Sequence, residues 1–206
     1  LRKCRAHKIK GFPVLQIFIY LLGCMFSPIS TYMAMRIGTY KEDFSQNTIY
    51  RFCNDAGINW HKFIRLLSER VVRQFMRPAT SDDRIEYFVL DDTPFAKTGR
   101  KTELVAKFFN HVTMKYQFGF RILTLIWTDE YSSVPIDFCP LSSGKDDLLK
   151  CPAKRYDKRS IAGQIRRQAQ QKAPDIILDM LGKAIRAGHS AKYVLFDSWF
   201  ATPKGI

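Results

Sequence analysis

The sequence predicts an α/β protein in which a helical region, residues 1–83, precedes a mixed sheet flanked by helices, residues 84–206. Three observations predict it. Apolar residues recur at helical spacing in the first part, most clearly through Phe63, Leu66, Leu67, Val71 and Phe75. β-Rich runs then occur at 85–90, 118–127, 134–139 and 192–196. Between the third and fourth runs lie two helical stretches, so the order is strand, strand, strand, helices, strand.

Residues 13–41 read as apolar helical material broken near Ser27 and Pro28, because a proline inside a helix removes a backbone donor and crowds the preceding turn. No charge occurs from Phe12 to Met35, but the most apolar part, Val14 to Phe26, is shorter than the ~20 residues a membrane span needs. No membrane partner is therefore expected. Ser45 is placed to cap a helix through Ile49 and Phe52, with Gly57 as its stop, and Asn59 to cap a second. The second carries Lys62, Arg65, Arg70, Arg73 and Arg77, which form either a DNA-facing surface or the solvated face of a small bundle. Pro78 is expected to end this helix, and the polar run 79–84 to lead into a new domain.

Ile85 to Leu90 reads as a buried strand that ends in Asp91 and Asp92. The stretch from Thr93 to Tyr116 is too long for a simple hairpin and, with Lys97, Arg100, Lys101, Lys107 and Lys115, is a candidate functional loop. Phe118 to Trp127 and Val134 to Cys139 read as an antiparallel strand pair. Residues 154–172 hold seven Lys or Arg, Arg166 and Arg167 among them, on a helix starting near Ser160 that faces either solvent or DNA. Asp175 follows Pro174 into a further helix with Ile176, Ile177, Met180, Leu181, Ala184 and Ile185 on the core side and Gly188 as its stop. Lys192 to Phe196 then form a short strand in which Tyr193, Val194, Leu195 and Phe196 are suited to burial, and it ends in Asp197.

Composition narrows the partner. With 33 Lys and Arg against 19 Asp and Glu, the 206-residue chain has a net charge of +14, an excess that draws a protein to polyanions through counterion release. Nucleic acid is the leading partner. The five cysteines are odd in number, widely spaced and without a Cys-x-x-Cys pair, which suits a reducing cytoplasm and suggests neither a disulfide framework nor a zinc knuckle. There is no Gly-x-Ser-x-Gly elbow, phosphate-binding Gly-rich loop or His-Glu-x-x-His helix, and the four histidines are scattered.

What remains is a pair of acidic residues at strand ends. Functional groups in open α/β sheets gather at the carboxyl ends of strands, where loops diverge. Were the strands before Asp91 and Asp197 parallel neighbours, the two carboxylates would face one crevice and share a hard divalent cation. Each could equally serve as a turn former or helix cap. Two-metal phosphodiester chemistry usually needs a third carboxylate; Glu103 and Asp137 are more readily structural than catalytic.

The segments YFVLDDTPFAKTGRKTE (87–103), FGFRILTLIWTDEYSSVPIDF (118–138) and KYVLFDSWFATP (192–203) resemble the DDE transposases of bacterial insertion sequences, in the branch whose third acidic residue sits in a Tyr, Arg, Glu, Lys signature. The resemblance implies an RNase H-like fold. It also implies Asp91 and Asp197 as catalytic metal ligands for Mg²⁺ or Mn²⁺, with Asp92 a neighbour that could substitute. Its partners would be double-stranded DNA, as element ends and target, and its reaction strand cleavage followed by attack of a 3′ hydroxyl; a homodimer of the full-length protein stays open. No Tyr, Arg, Glu, Lys signature follows Asp197 in the nine remaining residues, and Leu1 is not a methionine, so the expectation is an N-terminal fragment, inactive alone. The alternative expectation is a non-catalytic DNA-binding protein or transposase remnant.

Overall fold

The computed structural model describes residues 1–7, 10–81 and 83–200. Packing divides the chain into two units, Leu1–Trp60 and His61–Ile206. Almost all of the 60–71 helix, grouped above with the helical region, therefore falls in the unit that holds the sheet. The reason lies in two polar contacts: Arg65 pairs with the buried Asp137, and the Ser68 hydroxyl lies 3.2 Å from the His189 ring.

The first unit contains α1 (Val14–Cys24), α2 (Thr31–Arg36) and α3 (Gln46–Cys53) around Ile17, Phe44, Ile49, Phe52 and Ile58. The break expected near Pro28 separates α1 from α2, and the Ser30 hydroxyl caps α2 by accepting the Met33 N–H at 3.2 Å. Ser45 occupies the capping position of α3, but its hydroxyl meets the Thr48 hydroxyl at 3.4 Å instead of a backbone N–H. Among the described residues, no helix is long and apolar enough to cross a membrane.

In the second unit, α4 (Trp60–Val71) passes into one wide π-turn, Val72–Met76, and then into α5 (Arg77–Ala79). Pro78 therefore does not end the helix where expected. The Arg77 N–H reaches back five residues to the Val72 carbonyl, and Pro78 then falls in the first turn of α5, where a missing N–H costs little.

Five strands form one mixed sheet: β1 (Tyr87–Ala96), β2 (Ala106–Asn110), β3 (Lys115–Thr128), β4 (Ser133–Leu141) and β5 (Tyr193–Phe196). The path is β2-β3-β1-β5, with β4 also on β3; β1 runs antiparallel to β3 and parallel to β5. The β3–β4 pair is antiparallel as expected. Its register skips at Ile136, a bulge that takes Pro135 past the uninterrupted ladder.

The 93–116 stretch is a loop only in part. β1 continues to Ala96 and β2 occupies 106–110, because both hydrogen-bond to the first half of β3. All three strands meet at Gly119, which pairs with Ala96 and Ala106. It has φ +157°, and a Cβ there would stand 2.0 Å from the Phe95 carbonyl oxygen, so only glycine fits.

One sheet face is covered. α7 (Ala173–Arg186) sets Ile176, Ile177, Met180 and Ala184 against Phe88, Leu90, Leu123, Leu125 and Trp127, each worth about 1.5–3 kcal/mol when fully buried, less for alanine. Ile185, expected on the core side, is 61% exposed, since a helix turns about 100° between it and Ala184. α6 (Ile161–Ala169) starts at Ser160, whose hydroxyl accepts the Gly163 N–H at 3.0 Å, and Gly188 ends the run after α7 at φ +98°. The expectation that Tyr193, Val194 and Leu195 are buried fails: all three are exposed, because β5 is the outermost strand of the path beside β1.

Candidate active site

The parallel pairing of β1 with β5 runs from Tyr87 opposite Tyr193 to Leu90 opposite Phe196. The next residue on each side is an aspartate: Asp91, still paired to β3, and Asp197, just past the end of β5. Opposed residues in adjacent strands share a face, and the stacked Tyr87 and Tyr193 rings, 5.8 Å between centroids, show this register in the side chains. Phe88 and Leu90 point into the core under α7, so the alternation of the pleat turns Tyr87, Val89 and Asp91 to the opposite face.

Asp91 does not stand at the end of β1, as the apolar run had suggested. It stands where the parallel partner stops while pairing to β3 continues. Both carboxylates are exposed. Asp91 Oδ1 accepts the Asp92 N–H at 2.8 Å, and Asp197 Oδ1 accepts the Ser198 hydroxyl at 3.1 Å. The Phe200 N–H closes a 3₁₀ turn on the Asp197 carbonyl at 2.9 Å, and Phe200 is buried in the core, which anchors the chain just past Asp197. The end of the third resembling segment, Ala201 to Pro203, lies outside the described residues.

Asp92 is separated from this pair by strand geometry. It lies opposite Leu123, on the face that α7 covers, and its carboxylate accepts the Arg121 guanidinium. The choice between Asp91 and Asp92, open in the sequence, thus becomes a difference of face and partner. Two exposed carboxylates are hard oxygen donors of the kind Mg²⁺ and Mn²⁺ take, with water filling the other positions. Among the described residues, no group of three or more His, Cys, Asp or Glu is gathered for a metal.

Glu103 and Asp137 have structural partners. Glu103 takes a two-pronged contact from Arg166, with Nε at 2.7 Å, and the Lys154 N–H at 2.8 Å. Burial works against its charge, but these donors outweigh that and hold its carboxyl below the usual range. Asp137 accepts Arg65 and the His61 ring, whose Nδ1 is 2.8 Å away, while that ring stacks on Phe138. The sequence missed this cluster; an Asp after Pro135 within a strand-like run was its one trace.

The predicted DNA-binding side chains separate in the same way. Arg65 and Arg166 are committed to internal carboxylates and so are not open phosphate contacts. Arg73 pairs with Glu69 one turn away but stays mostly exposed, and Lys62, Lys97, Arg100, Lys101 and Arg167 are exposed. Lys97 directly follows β1, and Arg100 and Lys101 lie in the stretch between β1 and β2.

A helix-flanked mixed sheet with carboxylates at the mouth of a parallel strand pair is a nuclease type of architecture. Residues 16–206 match the family described as DDE superfamily endonuclease, and the chain belongs to that family. Endonucleases of this superfamily act on DNA and in general use divalent metal ions. No curated protein and no solved structure matches the chain.

Proposed function

We propose that the chain is the front part of a DNA transposase of the insertion-sequence type, with Asp91 and Asp197 as two of its catalytic carboxylates. The observation that carries this reading is the parallel β1–β5 register, whose last pair, Leu90 and Phe196, is followed on each side by one of these aspartates. Bound divalent ions would supply activation of the attacking oxygen and stabilisation of the leaving one. The chain's own part is to hold them: Asp91 is oriented by the Asp92 N–H, Asp197 by Ser198, and Phe200 pins the turn behind it. Exposed Lys97, Arg100 and Lys101 would position the phosphate backbone without reading its sequence.

On this reading the third carboxylate comes from a Tyr, Arg, Glu, Lys segment outside residues 1–206, and the element ends are cut before their 3′ hydroxyls attack target DNA. Manganese titration of residues 1–206, followed by the electron spin resonance of free Mn²⁺, should give weak binding. Asp91→Asn or Asp197→Asn should abolish it, while Asp92→Asn retains it. Tight stoichiometric uptake, or loss with Asp92→Asn alone, contradicts the assignment. Where the reading frame continues into such a segment, the longer product should nick and join DNA; one that works equally well with Asp91→Asn overturns the reading.

A further inference from the structure

The face of the sheet that carries Asp91 continues past it as a row of aromatic rings. Along the β1–β3 ladder Asp91 lies opposite Thr124, Thr93 opposite Ile122 and Phe95 opposite Phe120. Along β3–β2 the same face takes in Phe118 opposite Lys107 and Tyr116 opposite Phe109. Residues two apart on a strand share a face, so Phe95, Phe120, Phe118 and Tyr116 form one surface leading away from the carboxylates. It is not core: Phe95 is 51%, Phe118 40% and Tyr116 68% exposed.

Cations are set on this surface. Lys107 Nζ stands 5.0 Å from the Tyr116 ring centroid and Lys150 Nζ 5.1 Å from that of Phe118. Residues 93–121 carry six Lys or Arg and one acid, Glu103, which Arg166 neutralises. Exposed rings interleaved with lysines on an antiparallel sheet suit a polymer with a charged backbone and free flat faces. The bases of a duplex are stacked on each other and offer no such faces, and a second copy would bring like charges together.

The geometry points to a platform for unpaired DNA: bases stack on Phe95, Phe118 and Tyr116 while Lys107 and Lys150 hold the phosphates, and the strand leads to Asp91. That the strand is DNA rests on the function proposed above; the stacking surface does not. It requires neither metal nor carboxylate, so the two readings can fail separately.

The test is binding of a fluorescent oligothymidine, and of a duplex of equal length, to residues 1–206. Tyr116→Ala and Phe118→Ala should each weaken oligothymidine binding by about 5- to 100-fold and leave duplex binding within about twofold. Tyr116→Phe should retain binding, and Lys107→Ala should weaken both forms and reduce the salt slope for the single strand by roughly 0.7. Oligothymidine binding should persist in EDTA, whatever the outcome of the manganese titration. Equal losses for both DNA forms, no loss from either ring variant, or a change of oligomeric state in the ring variants overturns the platform. Should the alanine variants not fold, photocrosslinking of iodouracil-substituted oligonucleotide to the unaltered chain decides: adducts within 95–120 support it and adducts confined elsewhere reject it.

Discussion

The two faces of the sheet are built from the same strands, often from adjacent residues, yet they do different work. Towards α7 stand Phe88, Leu90, Leu123, Leu125 and Trp127, all buried; on the other face stand Tyr193, Leu195, Asp91, Phe95, Phe118 and Tyr116, all exposed. Both are rich in aromatic and aliphatic groups, so hydrophobicity alone does not tell them apart. What tells them apart is that α7 packs on one of them. Stability should therefore reside in the first face and chemistry in the second.

The largest effects are expected where the covered face is opened. Trp127→Ala should lower unfolding stability by about 3–5 kcal/mol in a urea titration, while Phe95→Ala, across the sheet, should cost under about 1 kcal/mol. Similar losses from both would erase the distinction between the faces.

Asp137→Ala should cost a comparable amount, about 3–5 kcal/mol, because it leaves the largely buried Arg65 without its carboxylate. Asp137→Ala together with Arg65→Met should recover part of that loss. A double variant no better than the single would mean that the pair is not what holds α4 to β4.

A smaller effect separates the adjacent aspartates. Asp92→Asn should lose about 0.5–1 kcal/mol with its partly exposed Arg121 partner, whereas Asp91→Asn should change stability by less than about 0.5 kcal/mol. Chemical denaturation of the two variants side by side checks it. A larger loss from Asp91→Asn would make that carboxylate a structural group.

The smallest expected effect has a definite sign. Burial lowers the pKa of His189, against the pull of the Arg65 carbonyl, and among the described residues its Nδ1 has no hydrogen-bond partner. The folded form thus keeps the ring neutral. The unfolded chain takes up more protons, so its contribution is complete above the ordinary value of 6.5 and is lost as pH falls through the lowered folded value. Hydrogen bonds from Thr80, Ser132 and Tyr131, with Arg84, overcome the burial of Asp129 and lower its pKa, so its contribution is lost at more acid pH. Urea midpoints between about pH 4.5 and 7.5 isolate the histidine. His189→Gln should flatten that part of the profile, and an unchanged slope would exclude His189 as its source.

Much of the fold was legible because its signals are local. The apolar run before Asp91, the β-branched and aromatic run 118–127, the Ser160 cap and the Gly188 stop each depend on neighbours within a few residues. The candidate pair was legible for the same reason, as two strand-like runs each followed by an acid. The fate of Arg65 was not, since its helical spacing is the same whether it faces phosphate or Asp137, 72 residues away. Nor was the extension of β1 to Ala96, which needs β3 as a partner and Gly119 to let three strands meet.

The sequence by itself determined the kinds of element, the basic balance and the placing of an aspartate after each of two apolar runs, because backbone propensity and side-chain periodicity act over short distances. Only the tertiary structure decided that those runs are parallel neighbours, with Leu90 opposite Phe196, and which arginines remain in solvent. Strand partnership is set by the burial of a shared face between segments far apart in the chain, and that free energy belongs to the assembled sheet and helices together.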